Sequence, residues 1–223
     1  MNAEYPRQNA EFFDFIDRGA AIVSECESDV FHLAKSDGLP PGFWHPTGFM
    51  TFEVMSVLGL GLVRLHCWLK GIRRERPNHA DIHQHCFDLY SKVLCGRYLE
   101  DQYAIVEECA PSSQFSTYSV QPNYGKGYDD LVEMPLPGRI EIIANNVETQ
   151  AGSAHWLPAG VFHATPIPQS EFCCTLVVMS LPRQGFQDVL IGRKGLDVSR
   201  SARVPVAASE RKALAKALQG IST

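Results

Sequence analysis

Ten residues, HADIHQHCFD (79–88), hold three of the chain's eight histidines together with two aspartates. His83 and His85 are two apart, so on a β-strand both side chains point to the same face. Two parallel imidazoles can grip one divalent ion, since neutral imidazole suits zinc, copper, iron and nickel. A polar loop or edge strand would carry histidines equally well. A metal site therefore needs a third ligand from elsewhere in the chain.

That ligand is sought downstream, in GSAHWLPAGVFHATPI (152–167). Gly152, Pro158, Gly160 and His163 stand at the spacing of the second motif of the cupin superfamily, which this stretch resembles. The asparagine often found four residues later is Ile167 here. HQHCFDLYSKVLCG (83–96) is similar to the first cupin motif, with paired histidines, an acidic residue and a closing glycine. The order of the motifs and the β-rich run around them extend the resemblance to residues 45–182, with a long gap from Gly96 to Gly152. The resemblance implies an all-β fold: a cupin double-stranded β-helix, or jelly-roll barrel. It implies a metal at His83, His85 and His163, with Fe(II) first and Zn, Ni or Mn as alternatives. HPTGFM, LHCWLKG and HQHCFDLYSKVLCGRY further resemble small bacterial cupins related to cysteine dioxygenase, and a three-His set resembles that of thiol and diketone dioxygenases.

The physics of the two stretches agrees. Pro158 and Gly160 suit a tight turn, and glycine relieves a backbone whose φ must be positive. Such a hairpin would aim His163 back at His83 and His85, leaving open positions on an ion for substrate or oxygen. Asp88 falls five after His83, the wrong parity for pointing inward on an ideal strand, unless a bulge reverses it. Both a three-His set and one including Asp88 stay open. On LVRLHCWL (62–69), Val63, Leu65, Cys67 and Leu69 share one face and Arg64, His66 and Trp68 the other. If that second face points inward, Arg64 could hold a substrate carboxylate in bidentate fashion. His66 and His155 are then further substrate-side candidates, whereas Cys86 should face away from the metal.

These residues need a barrel to hold them. Residues 8–35 repeat apolar positions at helical spacing, with Gly19 a point where the helix could kink or divide, and SDGLPPG (36–42) ends it. Short β-type runs follow to about residue 182, including one from 81 to 108 that reads as two strands turning at Cys95-Gly96-Arg97. APSSQFSTYSVQPNYGKGYDD (110–130) reads as an exposed loop whose Tyr118, Tyr124 and Tyr128 could close over a site. SERKALAKALQGI (209–221) predicts a helix with Ser209 as its N-cap. The expected organisation is an N-terminal helical extension (1–43), the barrel (44–185) and a C-terminal extension with a helix (186–223).

Composition bounds the rest. At 223 residues with 45% hydrophobic and 20% charged residues, the chain can bury one real core. A net charge of −5 gives no electrostatic footprint for nucleic acid, and KGIRRER (70–76) reads as a solvated loop. Seven cysteines without a CxxC pair, and a start lacking a signal-peptide pattern, point to reduced thiols in the cytoplasm. No run approaches a membrane span. The expected function is a non-haem Fe(II) dioxygenase taking a small organic acid or thiol and molecular oxygen. The alternatives are a metal-dependent isomerase or lyase and a non-catalytic small-molecule-binding cupin. An exposed sheet edge would permit a homodimer.

Overall fold

A computed structural model describes residues 10–75, 80–108, 110, 112, 114–123, 127–195 and 200–221. In chain order it runs α1 (Ala10–Lys35), β1 (Gly42–Trp44), β2 (Thr47–Gly48), β3 (Met50–Val57), β4 (Gly61–Trp68) and β5 (Arg74–Glu75). The central stretch supplies β6 (Ile82–Gln84), β7 (Leu89–Cys95), β8 (Arg97–Glu107), β9 (Phe115–Asn123), β10 (Tyr128–Pro135) and β11 (Gly138–Gln150). Then come β12 (Ala154–Leu157), β13 (Phe162–Ala164), β14 (Cys173–Ser180), β15 (Val189–Arg193), β16 (Arg200–Ala202), β17 (Val204–Pro205) and α2 (Ala208–Gln219).

Two large sheets face each other, ordered β12-β7-β14-β4-β3-β1-β17 and β11-β8-β13-β6-β15-β9-β10-β16. Within them lie β4-β14-β7-β12 and β6-β13-β8-β11, antiparallel throughout. Around the histidines, from β6 to β8 and from β11 to β15, successive strands alternate between the two sheets in the order of a jelly roll. The architecture is the all-β, cupin-type barrel implied by the histidine motifs, with a helix towards each end of the chain. Residues 186–223 also contribute β15, β16 and β17, so this extension is woven into both sheets.

The first sheet is covered on its outer face by the helices. Phe15, Val23 and Val30 of α1 and Leu214 and Leu218 of α2 share one core with Val63, Leu65, Cys67, Leu176 and Val178. That covering turns the usual alternation around. The apolar face of β4 lies under the helices, and the face carrying Arg64, His66 and Trp68 turns into the barrel. Ile167, at the position where the motif often has asparagine, is buried with Phe49, Trp68, Val93, Tyr98, Leu99 and Cys173.

Four local expectations are corrected. Gly19 does not divide α1, which is continuous from Ala10 to Lys35. The stretch 81–108 holds three strands, β6, β7 and β8, because the chain breaks pairing between Gln84 and Leu89. The stretch 110–130 contains most of a hairpin: β9 and β10 pair from Tyr128↔Asn123 to Pro135↔Ser116. The N-cap of α2 is Ala207 rather than Ser209, and the Glu210 carboxylate accepts the Ala207 N–H at 2.7 Å. Among the described residues, no helix is long and apolar enough to cross a membrane.

Candidate metal centre

His83 on β6 and His163 on β13 are directly opposite in register, which turns the two motifs towards each other. The turn that returns the chain to β13 is tied to the first motif: the Gly160 N–H donates to the His85 carbonyl at 2.9 Å. Gly160 has φ of +81°, and a Cβ there would run into the Phe186 ring. The positive φ is what calls for glycine.

One ligand nitrogen from each of His83, His85 and His163 lies within 4.8 Å of the others. The ring centroids are 4.3 Å apart for His83–His163, 4.8 Å for His83–His85 and 5.2 Å for His85–His163. His83 Nδ1 donates to the Asp81 carbonyl at 2.8 Å, and His163 Nδ1 to the Val161 carbonyl at 3.1 Å. Each ring thus spends its Nδ1 proton on the carbonyl two residues earlier, which fixes the tautomer and gives Nε2 the lone pair. His85 Nδ1 faces Asp188 Oδ1 at 3.7 Å. Burial, and then the neighbouring His83 and His85, hold the His163 pKa well below its ordinary value, so the ring is neutral. Neutral imidazoles with oriented second nitrogens are the donor set a divalent transition metal takes. The three residues fit the implied ion.

Asp88 is held elsewhere. Its carboxylate accepts from Arg183 Nε at 2.7 Å, Arg183 Nη2 at 2.6 Å and the Ala159 N–H at 2.9 Å. It lies outside the three-His group, and its structural partners are the returning turn and the segment after β14.

The three rings open onto a cavity between the sheets of about 70 Å³. Arg64, His66 and His155, picked from the sequence as substrate-side residues, all line it. Arg64 sits near the exterior, 3.6 Å from the exposed Glu53 carboxylate. Burial, Arg64 and His85 push the His66 pKa down to about 3, and burial takes His155 to about 4. His155 stacks on Tyr98 at 4.1 Å. Behind Tyr98, Glu100 accepts from the Tyr98 hydroxyl at 3.1 Å and from the Gln102 amide at 2.7 Å, and burial raises its pKa. Gln102 stands opposite His163 in register.

Sequence reasoning missed part of this wall. His45 stacks on Phe49 at 4.3 Å and lies 5.8 Å from His83, while Thr51, Tyr98 and Thr175 also line the cavity. Thr51 could have been found as the lone hydroxyl between Met50 and Phe52 on a strand; nothing marks Thr175 within its apolar run. Other residues are placed away from the site. The Tyr118 hydroxyl donates to the Arg193 carbonyl, Tyr128 pairs on β10, and Tyr124 and His79 lie outside the described residues. Cys86 faces Asp188, and burial with that carboxylate raises its thiol to about 11. Arg73 donates to the carbonyls of Pro168 and Glu171, and Arg74 pairs with Glu210, so both serve the fold.

No protein-family model matches the chain, and no curated protein matches it. Among solved structures it is similar to hydroquinone 1,2-dioxygenase PnpCD, in complex with Cd2+ and 4-hydroxybenzonitrile. Identity there is 18%, over 58% of this chain and 62% of that one, with a TM-score of 0.31. It is also similar to an oxalate decarboxylase variant from Bacillus subtilis, at 12% identity over 62% of this chain and 27% of that one, with a TM-score of 0.30. CapF with the inhibitor 3-isopropenyl-tropolone matches at 12% identity over 63% and 30%, with a TM-score of 0.31. In each case the match spans less than two thirds of the other chain. What this protein can do chemically follows from its own side chains.

Proposed function

We propose that the chain is a metal-dependent enzyme, a non-haem Fe(II) dioxygenase acting on a small organic acid or thiol. The all-imidazole donor set carries this reading. With Asp88 engaged by Arg183 and Ala159, His83, His85 and His163 bring no negative charge. A divalent ion held by neutral ligands keeps its full charge and favours an anionic substrate at its open positions. Iron bound there would supply the oxygen chemistry that no side chain of the cavity can supply.

The chain's own residues do the rest. Carbonyl anchors fix the rings of His83 and His163 before anything binds. Arg64 can take a substrate carboxylate at the outer end of the cavity. Phe49, Trp68 and Tyr98 close the inner end against bulk water. A space of about 70 Å³ suits a small substrate. The six described cysteines are free, including Cys67 and Cys174 with sulfurs 3.4 Å apart, which fits a reducing compartment such as the cytoplasm.

The test is elemental analysis of protein purified without chelators beside a His83→Ala/His163→Ala variant, followed by oxygen uptake with small acids and thiols. Near-stoichiometric iron, lost in the variant, and oxygen uptake abolished by His163→Ala are expected. Oxygen uptake unchanged in His163→Ala would sink the reading. Anaerobic turnover with bound zinc, nickel or manganese would make the protein an isomerase or lyase instead.

A further inference from the structure

Thr51, His66 and Thr175 form one row across three adjacent strands. Thr51 on β3 is the register partner of His66 on β4, and His66 is that of Thr175 on β14. All three line the cavity. Thr51 Oγ1 and Thr175 Oγ1 are buried without a hydrogen-bond partner among the described residues, and so is His155 Nδ1 on the same wall. Thr175 is 1% exposed. Buried hydroxyls are nearly always paired, so two unpaired ones on one wall of a cavity call for an explanation. A fold needing only to fill this wall would place valine at both positions, as it does at Val177 on β14.

We propose that this row is a subsite for an uncharged oxygen of the substrate, a hydroxyl or carbonyl, held by the Thr175 side chain, with Thr51, two strands away beyond His66, as a second position of the same kind. The inference rests on the cavity being the substrate site of the proposed enzyme, and it narrows the substrate class. A hydroxyl can donate or accept, so either residue seats an alcohol or carbonyl oxygen without bringing charge into the barrel. Arg64, two residues from His66 and beside the exposed Glu53, serves an acid group nearer the exterior. The substrate thus carries an acid, a metal-binding atom and a further neutral oxygen within a few bonds. A plain alkyl acid would leave both hydroxyls unmatched, and such sites reject the analogue lacking the oxygen strongly.

The experiment compares wild type with Thr51→Val and Thr175→Val. In metal-free protein each substitution should raise Tm by about 2–4 °C, because it removes a desolvated hydroxyl that pairs with nothing. A structural hydroxyl would give a fall. In zinc-loaded protein, calorimetry should show 3-hydroxypropionate binding tenfold or more tightly than propionate, and Thr175→Val should erase that preference. Equal binding of the two acids, binding of neither, or a preference that survives both variants would overturn the proposal. Failure of the wild type to hold zinc would count against the metal reading instead. The Tm shifts and the same two acids on metal-free protein would then still decide the subsite.

Discussion

Asp88 takes hydrogen bonds from the Ala159 N–H on one oxygen and from Arg183 on the other, and its own N–H donates to Ser180 Oγ at 2.9 Å. It therefore pins the turn before β13 to the end of β14, and that turn delivers His163. Arg183 is partly open to solvent, with 29% of its side chain exposed, while the Asp88 side chain is 6% exposed. Asp88→Ala leaves a half-buried guanidinium and a backbone N–H without their acceptor, at a cost of about 3 kcal/mol. Asp88→Asn keeps an acceptor for Ala159 and should cost less. Denaturant unfolding gives both values. Because the aspartate holds the frame of a ligand, Asp88→Ala should also weaken metal binding by about tenfold. Loss of metal in Asp88→Asn as complete as in a His163→Ala variant would make the carboxylate itself a ligand. The sequence left this open for a physical reason: parity says which face Asp88 is on, but not that Arg183, 95 residues away, waits on that face.

At the scale of elements, the first sheet is a layer between helices and cavity, and both contacts are written into its strands. β14 is buried at all but its last residue because its two faces are both covered, so it reads as one continuous apolar run. α1 comes close enough to β7 that a Cβ on Gly19 would stand 3.1 Å from the Tyr90 Cβ. The glycine is there for close approach rather than for a bend. Gly19→Leu should push α1 away and lower stability by about 1–3 kcal/mol, whereas Gly19→Ala gains helix propensity against that crowding and should change it little. Unfolding curves separate the two; equal stability of all three proteins would remove the packing argument. Strands β3, β4, β11 and β14 could be found in the sequence because apolar residues alternate or run together there. The β9–β10 hairpin could not, because serines, prolines and glycines interrupt residues 110–130, although Thr117 and Tyr118, which it buries, suit a strand.

Across the whole molecule, the jelly roll brings histidines from both sheets into one enclosed space and holds them uncharged. His66 and His155 come from one sheet and His163 from the other, with pKa values of about 3, about 4 and well below the usual range. In the unfolded chain each would titrate near 6.5. Between those values the unfolded state binds more protons than the folded one, so stability falls as pH falls. Glu100 works in the opposite sense: its folded pKa is raised, so it adds stability in acid that is lost as pH rises through that value. Asp81, whose pKa burial also raises, acts with Glu100 against the three imidazoles, but the window of both starts near the carboxylate range, well below that of the rings. The imidazoles should therefore dominate from pH 6.5 to about 5. Metal-free protein is expected to lose Tm steadily on acidification through that range. Zinc-loaded protein should lose it more steeply, because the ion holds only deprotonated imidazole. His66→Gln, which is not among the three proposed ligands, should flatten part of the slope in both forms. A Tm constant from pH 7.5 to 5 would mean that these rings can take up protons where they stand, and that water enters the barrel more freely than its aromatic wall implies.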